Sequence, residues 1–218
     1  MTHAATATPR LTYFGFRGLG EPIRLVFADL ALALDERRVD FDTWGPLKAD
    51  MPFRQMPVLE IGGRTLVQCH AILRHLARTH GLYGPDEAAH IRADATADAM
   101  KDAQNRLWDY FWAPGPETPE AATAFQSERL AETLELLEAW LGAGPYFAGD
   151  APTFADYHAL TYLDEAVAYF PQAFDAAPGL IAFRARMWAR PGLAAYATSG
   201  RQPEALGFDP TRGMRLGR

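Results

Sequence analysis

Cys69 is the only cysteine among 218 residues, so the chain can form no internal disulfide, no CxxC redox pair and no thiolate zinc cage. A reducing compartment suits such a chain. At the start of a helical segment a thiol can become more acidic, because the unpaired amides there favour an anion. His70, His75 and His80 follow five residues apart, which turns successive rings by about 140° around a helix and off any common face. No metal site is expected from them. Met56-Pro57 offers backbone chemistry instead. A proline that opens a strand suits a cis peptide bond, which would turn the N–H and C=O of Met56 outward at a sheet edge, ready to pair with an extended peptide-like ligand. An ordinary edge-strand proline fits the same position. Thr153-Phe154-Ala155-Asp156 has the form of a capping box, a structural device worth about 1 kcal/mol.

Short elements must hold these residues in place. Residues 11–14 form a β-type run, residues 15–20 a Gly-rich turn, and a helix opens at Pro22 with Ile23, Val26, Phe27 and Leu30 on one face. Residues 38–41 read as a second extended run and the stretch around 44–51 as irregular. Residues 57–61 and 65–67 flank the hairpin signal Gly62-Gly63, and a helix over 69–80 ends at Gly81. The order is βαβ followed by ββα. After the turn 83–86 the texture is helical. Residues 87–112 have no internal Pro or Gly, Thr118-Pro119 opens a helix with Leu130, Leu134, Leu137 and Leu141 on one stripe, and two shorter helices start at Pro178 and Pro191. The expected architecture is an α/β thioredoxin-like N-terminal domain over residues 11–84 and an all-α C-terminal domain over 85–201. An extension (1–10) and a tail (202–218) flank them.

Composition narrows the partners. The chain is 49% hydrophobic and 22% charged, as globular proteins are, and its net charge of -6 without a basic cluster disfavours nucleic acid. No apolar run approaches the ~20 residues of a membrane span, so neither a membrane nor a nucleic acid is an expected partner and a cytoplasmic location is.

The segments Leu11-Thr12-Tyr13-Phe14, Arg17-Gly18-Leu19-Gly20-Glu21-Pro22-Ile23-Arg24, Met56-Pro57-Val58-Leu59-Glu60 and Gln68-Cys69-His70-Ala71-Ile72 resemble the N-terminal domain of cytosolic glutathione transferases, nearest to the sigma class. Gly149-Asp150-Ala151-Pro152-Thr153-Phe154-Ala155-Asp156 is similar to the capping segment of the family's helical second domain. The resemblance covers roughly residues 11–198. It implies a homodimeric detoxification enzyme that takes glutathione as co-substrate, needs no metal and adds the thiolate to a hydrophobic electrophile.

Chemical need agrees with what the resemblance implies. A free thiol has a pKa near ~8.5, and lowering it by two units takes roughly 2.7 kcal/mol in favour of the anion. One charge-assisted hydrogen bond supplies about 1.5 to 3 kcal/mol. Tyr13 stands where the family places its catalytic tyrosine, so its hydroxyl would donate to the sulfur. Trp44 and Lys48 match the pair that approaches the glycine carboxylate, and Lys48 is one of two lysines beside nineteen arginines. Gln55 could add an amide contact, and Met56-Pro57 would pair with the tripeptide backbone. Gln68 and Cys69 match the pair that holds the γ-glutamyl carboxylate at a helix N-terminus. Asp102 matches an acid that reaches the γ-glutamyl ammonium from the other subunit. Phe16, Leu19, Trp108, Tyr110, Phe111 and Trp112 are the candidates for the electrophile pocket, only some of which should line it, since most helical aromatics are core.

Departures from the pattern carry their own expectations. Cys69 stands where the family usually has serine, which replaces a hydroxyl donor by a weak thiol donor and predicts weaker glutathione binding. Leu19 stands where some sigma members have arginine, and Arg17-Gly18-Leu19 is mu-like. Lys101 replaces an acid of some sigma enzymes, which disfavours a divalent metal at a subunit interface. The same fold could also serve a non-catalytic ligand carrier, or a glutathione-dependent isomerase or peroxidase.

Overall fold

A computed structural model of the chain describes residues 7–112 and 118–207; the side chain of Trp112, most of the N-terminal extension and the tail beyond Gly207 lie outside the described residues. Packing divides the chain into one unit of Met1–Thr79 with Arg190–Arg218 and a second of His80–Ala189.

In the first unit, β1 (Arg10–Phe14), α1 (Glu21–Asp29) and β2 (Asp35–Val39) form a parallel βαβ crossover. After α2 (Phe41–Leu47), β3 (Val58–Ile61) and β4 (Arg64–Val67) form an antiparallel hairpin, and α3 (Cys69–His80) follows. Since β3 also pairs antiparallel with β1, the sheet order is β2-β1-β3-β4, a thioredoxin-like arrangement. Gly62 and Gly63 both take positive φ at the hairpin, where glycine adopts that backbone without strain. Leu11, Ile23, Leu25, Val26, Leu59, Ile72, Leu73 and Leu76 are at most 1% exposed. Each such side chain contributes about 1.5 to 3 kcal/mol on leaving water.

Two elements differ from the sequence reading. The extended run is β2 at Asp35–Val39 rather than 38–41, and the stretch read as irregular opens with a helix, α2. Asp40 is the reason. Its Oδ1 accepts the Thr43 amide at 2.7 Å while Thr43 Oγ1 accepts the Asp40 amide at 3.3 Å, so chain direction switches from strand to helix there.

The segment from Arg190 packs with the first unit. There α9 (Pro191–Thr198) lies against α1: a Cβ on Gly192 would come 2.6 Å from the Ala28 carbonyl oxygen, so only glycine permits the approach. Arg190 Nε pairs with Asp29 Oδ2 at 2.6 Å.

The second unit is helical, with α4 (Glu87–Trp112), α5 (Pro119–Phe125), α6 (Ala131–Leu141), α7 (Phe154–Tyr169) and α8 (Pro178–Trp188). Residues 154–166 of α7 are all buried, and α4 packs along it. Leu130, Leu134, Leu137 and Leu141 form the expected buried stripe. The capping box is present: Asp156 Oδ2 accepts the Thr153 amide at 2.7 Å and the Thr153 hydroxyl at 2.9 Å, while Oδ1 accepts the Phe147 amide at 3.0 Å. The same carboxylate therefore starts α7 and ties down the preceding loop.

Candidate active site

Tyr13 sits in β1 with its side chain 4% exposed. Its hydroxyl oxygen accepts the Leu19 amide at 2.9 Å. The intervening turn closes around the ring because it is rich in glycine. A Cβ on Gly18, which has φ +39°, would lie 2.6 Å from the Tyr13 hydroxyl oxygen, and one on Gly20 would lie 2.4 Å from the ring. A phenol that accepts an amide hydrogen has its own O–H polarised, which strengthens that O–H as a donor to an anion.

Arg24 secures the same turn. It is 2% exposed, and its guanidinium donates to the Phe14 carbonyl at 3.1 Å and the Phe16 carbonyl at 3.0 Å. It also pairs with Glu36 at 2.9 Å and Glu21 at 3.3 Å, and its Cζ lies 5.8 Å from the centroid of the Tyr13 ring. Glu21 is buried too; burial pushes its carboxyl up, against the pull of Arg24. Sequence reading placed Glu21 and Arg24 only within a motif. The available signal was a lone pair of charges inside residues 21–27, every one of which the fold buries.

Of the other expected glutathione residues, all but Asp102 lie in the first unit. Trp44 and Lys48 are one turn apart, with the Lys48 amide donating to the Trp44 carbonyl; Lys48 is exposed and Trp44 half-buried, edge-on to Phe14 at 5.7 Å. The Met56-Pro57 bond is cis; Met56 is half-buried and Pro57 buried. Gln68 Nε2 donates to Gln55 Oε1 at 3.0 Å, so these two amides form one exposed pair. Gln68 has φ +67°, and its carbonyl accepts the Ile72 amide at 2.9 Å as the first turn of α3 begins. Cys69, beside it, is 6% exposed, and burial pushes its thiol up to about 12. The acidity available to a thiol at a helix start is thus overridden by loss of water.

Phe16 and Leu19 are half-buried, with the Phe16 ring edge-on to Tyr13 at 5.7 Å. In the helical unit, Trp108 is half-buried and its indole N–H donates to buried Glu165 at 3.1 Å. Tyr110 stacks on Phe125 at 4.4 Å, and Phe111 is 3% exposed, 4.3 Å from the Tyr169 ring. Phe111 therefore packs within an aromatic cluster of the helical unit. Asp102 is exposed on α4. Among the described residues no group of three His, Cys, Asp or Glu side chains comes together to hold a metal, and no helix is long and apolar enough to cross a membrane.

Residues 9–78 match the family described as glutathione S-transferase, N-terminal domain, and residues 101–200 the family described as glutathione S-transferase, C-terminal domain. The chain is 34% identical over 191 residues to glutathione S-transferase P of Caenorhabditis elegans, covering 87% of this chain and 91% of that one. It is 31% identical over 189 residues to the hematopoietic prostaglandin D synthase of Gallus gallus, covering 86% and 94%. The solved structure of the Onchocerca volvulus pi-class glutathione S-transferase superimposes with a TM-score of 0.84 at 29% identity, covering 92% of this chain and 98% of that one. The chain belongs to the glutathione S-transferase family. It is an enzyme of the glutathione transferase type.

Proposed function

We propose that the enzyme adds the glutathione thiolate to hydrophobic electrophiles, with the Tyr13 hydroxyl donating to the sulfur. The observation that carries this reading is the 2.9 Å bond from the Leu19 amide to that hydroxyl, inside a glycine turn too tight for any side chain at residue 18. The thiol proton leaves to solvent, the Tyr13 O–H stabilises the anion, and sulfur attacks the electrophilic carbon to form the S–C bond. The leaving group, or a proton taken up at the adjacent carbon, completes the balance. Phe16 and Leu19 supply apolar surface beside Tyr13.

The tripeptide's charges match the remaining residues. Trp44 and Lys48 take the glycine carboxylate, Met56-Pro57 the cysteinyl backbone, and Gln68 with Cys69 the γ-glutamyl carboxylate, with Gln55 held against Gln68. The γ-glutamyl ammonium is left for Asp102 of the partner subunit, so the working form in this reading is a homodimer, and the enzyme works in the cytoplasm. Phe53 supports a dimer, since it holds a large apolar ring 74% exposed at a left-handed backbone position. Within the family, the Arg17-Gly18-Leu19 turn is mu-like and the other glutathione residues are nearest to the sigma class.

A thiol-conjugation assay with a chlorodinitrobenzene tests the reading. Turnover in the wild type, reduced at neutral pH by about tenfold to a hundredfold in Tyr13→Phe, is expected. Absent turnover, or undiminished turnover in the variant, would contradict it. The likeness to a prostaglandin D synthase favours one second reading, a glutathione-dependent isomerase that uses the same thiolate. Product analysis separates the two, because an isomerase returns glutathione unconsumed.

A further inference from the structure

Residues 201–207 run across the turn that frames Tyr13. The Arg17 amide donates to the Ala205 carbonyl at 2.9 Å and the Gly18 amide to the Leu206 carbonyl at 2.8 Å. Side chains add to this pairing: Arg17 Nε donates to the Pro203 carbonyl at 2.9 Å, Gln202 Nε2 to Glu21 Oε1 at 2.9 Å, and Arg38 to the Arg201 carbonyl. Leu206 is 4% exposed, so the segment is anchored at its far end. A Cβ on Gly207 would lie 3.6 Å from Gly18 and from the Phe16 ring. The next amide in the turn, that of Leu19, is the one bonded to the Tyr13 hydroxyl.

A turn with glycine at positions 15, 18 and 20 has little stiffness of its own, because glycine restricts the backbone least. Its carbonyls at Phe14 and Phe16 are fixed by Arg24, and its amides at Arg17 and Gly18 by the C-terminal segment. Hydrogen bonds weaken steeply as alignment is lost, so the Leu19 amide polarises the phenol only while the turn holds still.

We propose that residues 201–207 are a positioning strap: by holding the Arg17 and Gly18 amides they keep the Leu19 amide against the Tyr13 hydroxyl, and so help set the acidity of the glutathione thiol bound there. The proposal rests on the reading of Tyr13 as the thiolate-stabilising group. The strap acts through the turn, so its residues are positioning residues and not catalytic ones.

The test is a pH titration of bound glutathione, followed by thiolate ultraviolet absorbance, in full-length wild type, Leu206→Ala, Gln202→Met, Leu206→Met and Tyr13→Phe, with thermal melts alongside. Leu206→Ala and Gln202→Met alter no charge. Each should raise the apparent thiol pKa by about half a unit to one unit and lower kcat/KM below neutrality by about threefold to tenfold, converging with wild type at high pH. Leu206→Met, which restores bulk, should return the wild-type titration. If both variants titrate as wild type while Tyr13→Phe is shifted, the strap proposal is overturned and the tyrosine reading stands. If Tyr13→Phe is itself unshifted, the tyrosine reading fails and the strap falls with it. Should Leu206→Ala fail to fold, Gln202→Met decides.

Discussion

Gly18 and Tyr13 are so close that a single methyl group cannot be placed between them: a Cβ on residue 18 would stand 2.6 Å from the phenolic oxygen, on a backbone at φ +39°. Gly18→Ala must therefore push the turn away from the hydroxyl. We expect a folded protein whose kcat/KM for conjugation falls by about tenfold or more, since displacements of an ångström at a reacting group cost up to about a hundredfold. Steady-state kinetics beside a thermal melt checks it, and wild-type kinetics in the folded variant would refute the tight-turn account.

Cys69 gives two predictions from one burial. With its thiol pushed up to about 12, it should resist iodoacetamide in the native protein at mildly alkaline pH and label fully once the chain is unfolded. The sign of its pH linkage follows from the folded pKa lying above the ordinary 9.0: its contribution to stability is complete below that value and is lost as the pH rises toward about 12. Denaturant midpoints for wild type and Cys69→Ser should diverge above pH ~9 and run parallel below it. Cys69→Ser should also lower the KM for glutathione, by restoring a hydroxyl donor; an unchanged KM would remove the argument that this cysteine weakens binding.

Arg24 and Glu36 predict an acid limb to stability. Burial pushes the Glu36 carboxyl up, but hydrogen bonds from Arg38 and Arg24 outweigh burial and hold it below the ordinary value of 4.5. Its contribution is therefore present above that pH and is lost as the pH falls through the depressed value. Glu36→Gln should flatten the loss of denaturant midpoint on acidification. Arg24→Met should cost about 3 to 5 kcal/mol at neutral pH, because it leaves Glu21 buried without its cation. Equal acid limbs in wild type and Glu36→Gln would count against this network.

Phe53 predicts the assembly. A ring 74% exposed at φ +54° presents apolar surface that a second copy of the chain would cover. Phe53→Ser should shift sedimentation toward the monomer and, through loss of Asp102 from the partner subunit, raise the KM for glutathione more than it lowers kcat. A wild type that sediments as a monomer would contradict it.

Much of this was legible in residue order. Strands β1, β3 and β4, the helix at 69–80 and the capping box at Thr153 carry apolar periodicity bounded by Gly, Pro and cap residues, and they fold where those signals lie. Strand β2 is an edge strand with the sequence DERRV, whose charges give no alternation to read. Helix α2 contains Gly45-Pro46, which reads as a break although Asp40 has already started the turn. Arg24 was legible as a motif letter but not as a clamp, because a charge among apolar neighbours does not say which carbonyls it will meet. The strap is silent in sequence for a simpler reason. Its bonds to Arg17 and Gly18 run through main-chain carbonyls, which every residue possesses.

The most direct measurement is the ionisation of glutathione's sulfur in the binary complex of wild type and of Tyr13→Phe. The expected result is a thiol about two units more acidic than the free ~8.5 in wild type and a return most of the way to that value when the hydroxyl is removed. Identical titrations in the two proteins would contradict it.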